Sequence, residues 1–223
     1  MSEIGRNIES LRGEIPAGVR IVAVSKFHPV ERLMEAYDAG QRIFGENRAQ
    51  ELVTKVGQMP RDTEWHFIGK LQKNKVRSIV PHVSLIHSID SESLLRLVAA
   101  EALTAGRVVD VLLQVHVAQE ETKSGFDARE LLELAHSGRI ENVPGVRICG
   151  LMAMASFVDD ERQISAEFAR VRGIYEQLRA GCFAGHDEFC ELSMGMSGDW
   201  RLAVEQGSTM VRIGTSIFGR REY

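Results

Sequence analysis

Several protein classes are excluded by what this chain lacks. Its three cysteines, Cys149, Cys182 and Cys190, are odd in number and widely spaced with no Cys-x-x-Cys pair, so no disulfide framework is indicated. That usage fits a reducing, cytoplasmic setting. No run approaches the roughly 18 consecutive apolar residues of a membrane span, and the polar segment 1–7 has no signal-peptide core. Charge of one sign is scarce too: 27 basic against 31 acidic residues give a net charge of −4, with no global pull toward nucleic acid or an anionic membrane. The seven histidines show no His-x-x-x-His or Cys-His spacing for zinc. Neither Gly-x-Gly-x-x-Gly nor Gly-x-x-x-x-Gly-Lys-Ser/Thr occurs, which argues against a common dinucleotide or nucleoside-triphosphate site.

What remains is a globular chain with 44% hydrophobic and 26% charged residues, and its 223 residues suit one α/β barrel domain over 1–223. A chain of this size buries roughly 70% of its unfolded surface and needs no metal or disulfide to hold a core. Short β-rich runs alternate with helical periods along it. The strands are predicted at 20–25, 42–44, 65–68, 85–87, 108–117, 147–151, 189–192 and 210–213. The intervening helices include 71–79, one opening at Asp127 with Glu130 three residues on, and a long one burying Ile164, Phe168, Val171, Tyr175 and Leu178. A further helix stands ahead of the first strand. Eight strands separated by helices predict a (β/α)8 TIM barrel, with an open doubly wound sheet as the alternative.

A barrel places its functional groups at the C-terminal ends of its strands and makes the first and eighth strands neighbours. Lys26 ends the first strand. A lysine there, shielded from water, can act as an amine nucleophile, although most lysines are solvated surface groups. The segment 193–199 after strand seven and 212–216 after strand eight are rich in Gly and Ser. Backbone N–H groups and the hydroxyls of Ser197 and Thr215 could hold phosphate there, though ordinary βα turns favour the same residues. Arg212 adds a permanent positive charge, unless it serves a structural ion pair. Lysine, phosphate cradle and arginine together suit pyridoxal 5′-phosphate (PLP), whose aldehyde needs an amine and whose ring nitrogen needs an Asp or Arg partner. The patch of Lys70, Lys73, Lys75 and Arg77 lacks interleaved aromatics and reads as a solvated helix face, so no nucleic-acid partner is expected.

In Val24-Ser25-Lys26, Phe44-Gly45-Glu46-Asn47, Trp65-His66-Phe67-Ile68-Gly69-Lys70-Leu71-Gln72, Lys123-Ser124-Gly125, Gly150-Leu151-Met152 and the two C-terminal loops, the sequence resembles the YggS/PROSC family of PLP homeostasis proteins. The match spans nearly the whole chain. The resemblance implies a PLP fold-type III-like barrel related to the N-terminal domain of alanine racemase, with PLP held as a Schiff base on Lys26. It further implies Asn47 near the cofactor, Ser197, Gly198, Gly214 and Thr215 on the phosphate, Arg212 at the ring nitrogen, and Lys123 as a second lysine. Such a protein buffers or delivers the cofactor, with apo-forms of PLP-dependent enzymes as recipients and no robust turnover. Two positions depart from the family pattern. Phe27-His28-Pro29 stands where many members carry a second lysine or a threonine-containing segment, and His116 where many have asparagine.

An amino-acid racemase is the leading alternative, but a two-base mechanism needs a group opposite the lysine, and Tyr37, Tyr175 and Tyr223 offer no obvious one. A sugar-phosphate isomerase would need a carboxylate at a strand end, for which Glu191 is the candidate unless it forms a structural ion pair. No helix or strand shows an excess apolar face, so a monomer is expected.

Overall fold

A computed structural model describes residues 1–117 and 124–219. Lys123 and Tyr223 lie outside the described residues. Eight parallel strands close into a barrel in chain order: β1 (Arg20–Val24), β2 (Ile43–Glu46), β3 (Glu64–Phe67), β4 (Leu85–Ile89), β5 (Val109–Gln114), β6 (Val146–Met152), β7 (Glu191–Met196) and β8 (Met210–Ile213). Closure is made by β1 and β8, with Arg20 opposite Met210 and Val22 opposite Arg212. The open-sheet alternative is therefore excluded.

The helices are α1 (Glu3–Glu14), α2 (Val30–Asp38), α3 (Ala49–Val56), α4 (Val76–Ile79), α5 (Glu92–Thr104), α6 (Ala128–His136), α7 (Glu161–Ala180), α8 (Trp200–Glu205) and α9 (Thr215–Phe218). Capping residues set several of their starts. Asp127 accepts from the N–H groups of Arg129 and Glu130, and Asp160 from those of Arg162 and Gln163, which satisfies donors that a helix start leaves orphaned. The extra helix α1 lies against α9, where the Asn7 side-chain amide donates to the Ile217 carbonyl at 3.0 Å. Among the described residues no helix is long and apolar enough to cross a membrane.

Strand alternation divides the core in two. Ala23, Ile86, Leu113 and Val211 belong to the layer between sheet and helices, where α7 buries Ile164, Phe168, Val171, Tyr175 and Leu178. Their neighbours Val22, Leu85, Leu112 and Met210 cluster with Cys149 and Met152 inside the barrel.

Several boundaries differ from expectation. The seventh strand runs through Met196, so most of the segment read as a loop is strand and the turn shrinks to 197–199. Small residues conceal strand character here, because pairing of Met152 with Ser193 and of Met196 with Arg212 supplies what propensity does not. The fifth strand stops at Gln114, leaving His116 beyond it with its N–H donating to the Phe126 carbonyl. The helix read over 71–79 is a 3₁₀ turn, Lys73–Lys75, followed by α4. Leu71 and Val76 are both buried, yet a five-residue spacing on one continuous α-helix would turn them about 140° apart. The short helix α9 carried no periodic signal at all.

Candidate functional site

The C-terminal mouth of the barrel opens into a cavity of about 450 Å³, within the range typical of small-molecule sites. Lys26, Ser197, Gly198, Arg212, Gly214 and Thr215 all line it, as does His28. Five loop and strand-end positions chosen for a lysine and a phosphate cradle are thus brought together with the arginine. Asn47, in the loop after β2, is not among the lining residues. Its Oδ1 is buried without a hydrogen-bond partner among the described residues, an acceptor left over beside the end of β1.

Lys26 follows β1 on a braced turn. Ser25 is fully buried and its hydroxyl donates to Glu46 Oε1 at 2.7 Å. Lys55 of α3 donates to the same carboxylate oxygen at 2.7 Å and to the Ser25 carbonyl at 2.9 Å. Burial raises the Glu46 pKa, and the Lys55 ammonium opposes that shift. The next residue, Phe27, takes a left-handed φ of 66° and donates its N–H to Glu51, which Lys55 also contacts. One buried cation therefore fixes the backbone on both sides of Lys26. His28 stacks on Phe218 with ring centroids 4.6 Å apart, so the departure from the family pattern places an imidazole on the cavity wall.

The loops after β7 and β8 meet opposite. Gly195 has φ 89°, and a Cβ there would lie 2.7 Å from that of Ala203, so the bend ending β7 requires glycine. Asp199 closes the turn by accepting from the Met196 N–H at 2.5 Å. Beyond it, the N–H groups of Gly214 and Ser216 both point to Ser197 Oγ, at 3.3 and 3.5 Å. Two backbone donors converging on one oxygen suit a phosphate oxygen equally well.

Arg212 is almost fully buried, and its acceptors are neutral. Nη1 donates to the Ser193 carbonyl at 2.8 Å and to Ser193 Oγ at 2.6 Å, while Nη2 donates to the Ala153 carbonyl at 2.9 Å. Burial lowers its pKa to about 10, with Asp199 opposing, so it stays charged at neutral pH. The structural ion pair considered for Arg212 is not formed among the described residues. The loop carrying Ala153 is held by Glu167, which accepts from the Ser156 N–H at 2.6 Å and its hydroxyl at 2.8 Å.

Among the described residues neither alternative chemistry finds its candidate at this cavity. Tyr37 donates to Asp62 and Tyr175 to the Phe189 carbonyl, and neither lines the cavity. Glu191 begins β7, at the opposite end of the barrel, where it pairs with Arg20 at 2.6 Å. Sequence reasoning missed Glu46, Lys55, Glu167, and the buried His66, His87 and Ser193 behind Arg212. Polar residues at barrel-facing positions of otherwise apolar strands were the available signal for the last three.

Fold and site define a (β/α)8 barrel with a lysine and a Gly/Ser-rich rim at its C-terminal mouth. The family model of the alanine racemase N-terminal domain matches residues 1–222. A pyridoxal phosphate homeostasis protein of Vibrio alginolyticus is 39% identical over the whole of both chains. PipY of Synechococcus elongatus PCC7942 is 39% identical, with 97% of this chain and 100% of that one covered, at a TM-score of 0.92 without PLP and 0.89 with PLP bound. Alanine racemase of Bartonella henselae, at 15% identity, shares the fold over 99% of this chain and 60% of that one, with a TM-score of 0.70. The chain belongs to the alanine racemase N-terminal-domain family, in the branch of the pyridoxal phosphate homeostasis proteins.

Proposed function

We propose that the protein binds pyridoxal 5′-phosphate in this cavity and buffers or delivers it. The observation that carries this reading is the meeting of Lys26, Arg212 and the converging donors around Ser197 on one cavity. Asn47, whose buried Oδ1 has no hydrogen-bond partner among the described residues, is assigned a place near the cofactor in this reading. Bound PLP supplies an aldehyde for a primary amine and a ring that can draw electrons.

In this reading Lys26 provides the amine, and Ser197, Gly198, Gly214 and Thr215 hold the phosphate. Arg212 faces the ring nitrogen, where a permanent charge disfavours a proton and so weakens electron withdrawal. Lys123, outside the described residues, is assigned the hand-over of cofactor to apo-forms of PLP-dependent enzymes. We read the protein as a monomer, since the residues assigned to the cofactor lie on one chain.

Borohydride reduction of the yellow holoprotein followed by peptide mapping tests the site, with one pyridoxyl group expected on Lys26. A label on Lys70 instead would overturn it. Delivery is tested by mixing holoprotein with an apoenzyme and following reactivation, while single amino-acid enantiomers are assayed for racemisation. Reactivation with racemisation near background is expected. Sustained racemisation on the order of 10 per second, abolished by Lys26→Ala, would replace the carrier by a racemase.

A further inference from the structure

We propose that Ser193, His87 and His66 form a one-way hydrogen-bond chain through the barrel interior that positions Arg212 and keeps its full charge available to the cavity. The chain is contiguous: Arg212 Nη1 lies 2.6 Å from Ser193 Oγ, Ser193 Oγ 3.0 Å from His87 Nδ1, and His87 Nε2 3.0 Å from His66 Nδ1. All four residues are buried, on β8, β7, β4 and β3. Beyond them, His66 borders a second recess at the N-terminal end of the barrel, beside Arg20, Glu64 and Asp110.

Donor chemistry fixes the direction. A guanidinium only donates, so Ser193 Oγ accepts from Arg212 and has one proton left to place. His87 Nδ1 is the acceptor within reach among the described residues. With Nδ1 accepting, neutral His87 carries its proton on Nε2 and donates it to His66 Nδ1, which sets His66 as the Nε2–H tautomer as well. Reversing the chain would point His87 Nδ1–H at Ser193 and leave a buried hydroxyl proton without an acceptor, next to a cation that cannot take it.

Burial keeps both imidazoles neutral, lowering the pKa of His66 to about 3 and that of His87 well below its ordinary value, with Arg212 adding to the effect on His87. A carboxylate in place of Ser193 would hold the guanidinium as firmly but would cancel its field. Neutral acceptors hold it and leave the charge intact. Ser193 and His87 are therefore positioning residues, acting on a bound ring only through Arg212.

This inference rests on the assignment of Arg212 to a PLP ring, and the test separates the two. In the protein without cofactor, ¹⁵N NMR should find His66 and His87 neutral between pH 8 and 5.5, each protonated on Nε2. A proton on Nδ1 of His87 overturns the chain whether or not PLP binds. Ser193→Ala removes the donor to His87 Nδ1 and so should replace the single His87 tautomer by a mixture, weaken PLP binding about tenfold through the loss of one charge-assisted bond, and move the visible absorption band of the bound cofactor. Ser88→Ala, which truncates a buried hydroxyl on the same strand as His87 that has no hydrogen-bond partner among the described residues, should change none of the three. Unchanged PLP affinity and band in Ser193→Ala remove the positioning role. Failure of the parent protein to bind PLP overturns the functional reading while the tautomers still decide the chain. Should Ser193→Ala not fold, the tautomers in the parent protein remain decisive.

Discussion

The N–H of Phe27 donates to Glu51 Oε2 at 2.8 Å, and this bond holds the residue after Lys26 at a φ of 66°. Left-handed backbone in a bulky residue costs energy that surrounding structure must offset. Here Glu51 does so from α3, with the Arg48 guanidinium 4.6 Å over the Phe27 ring. A β-branched side chain tolerates that backbone least. Phe27→Val should lose about 1–3 kcal/mol in urea unfolding, whereas Phe27→Gly should lose only the ring contact. Equal midpoints for the two variants would show that the turn stores no strain.

Behind the turn, the Lys55 side chain is 8% exposed and Glu46 is completely buried. Removing one partner of a buried pair strands the other as an uncompensated charge. Lys55→Met should therefore cost about 3–5 kcal/mol, and the double variant Glu46→Leu/Lys55→Met should lose less than Lys55→Met alone. Additive losses in a double-mutant cycle would mean that the pair is not coupled.

Much of this was legible in the sequence. Short β-rich apolar runs such as 20–25 and 85–87 located the strands, and the 3.6-residue apolar spacing from Ile164 to Leu178 located α7 with its buried face. Lys26 and the two Gly/Ser loops could be assigned to one mouth because barrel closure makes strand one the neighbour of strand eight. The rest depended on tertiary facts. Glu51 and Lys55 stand four apart on α3 and look like a solvated helix pair, and only the packing of α3 over β2 buries Lys55 against Glu46. Ser193 and Gly195 have poor strand propensity, so pairing with β6 and β8, not local sequence, extends β7 to Met196. His66 and His87 are 21 residues apart, and nothing local says that two strands bring their rings to 3.0 Å.

The same two histidines make stability depend on pH. Both have folded-state pKa values below the unfolded value of about 6.5, so the unfolded chain binds more protons in this range. Their contribution is complete above pH 6.5 and is lost as pH falls toward 3. Each removes up to about 1.4 kcal/mol per pH unit, so the pair removes up to about 2.8. Glu46, whose pKa burial raises, acts in the opposite sense above its ordinary value. Urea unfolding at pH 7, 6 and 5 should show the steepest loss between 6 and 5. A flat profile over that interval would mean that the two rings are not held neutral.

The phosphate loops make the most selective prediction. Gly214 and Ser216 direct their N–H groups at Ser197 Oγ, and Ser197 and Thr215 line the same cavity. If these groups hold phosphate, pyridoxal without it forfeits at least two charge-assisted hydrogen bonds of about 1.5–3 kcal/mol each. PLP should then bind more than about a hundredfold more tightly than pyridoxal. Lys26 and Arg212 serve both ligands alike, so the ratio of affinities isolates the loops from the rest of the site. Ser197→Ala should weaken PLP binding about tenfold and leave pyridoxal unaffected. Titration of both ligands against both proteins gives the four constants required. Equal affinities in the parent protein would take phosphate recognition away from these loops, and a parallel loss of both ligands in Ser197→Ala would assign the hydroxyl to the shape of the cavity instead.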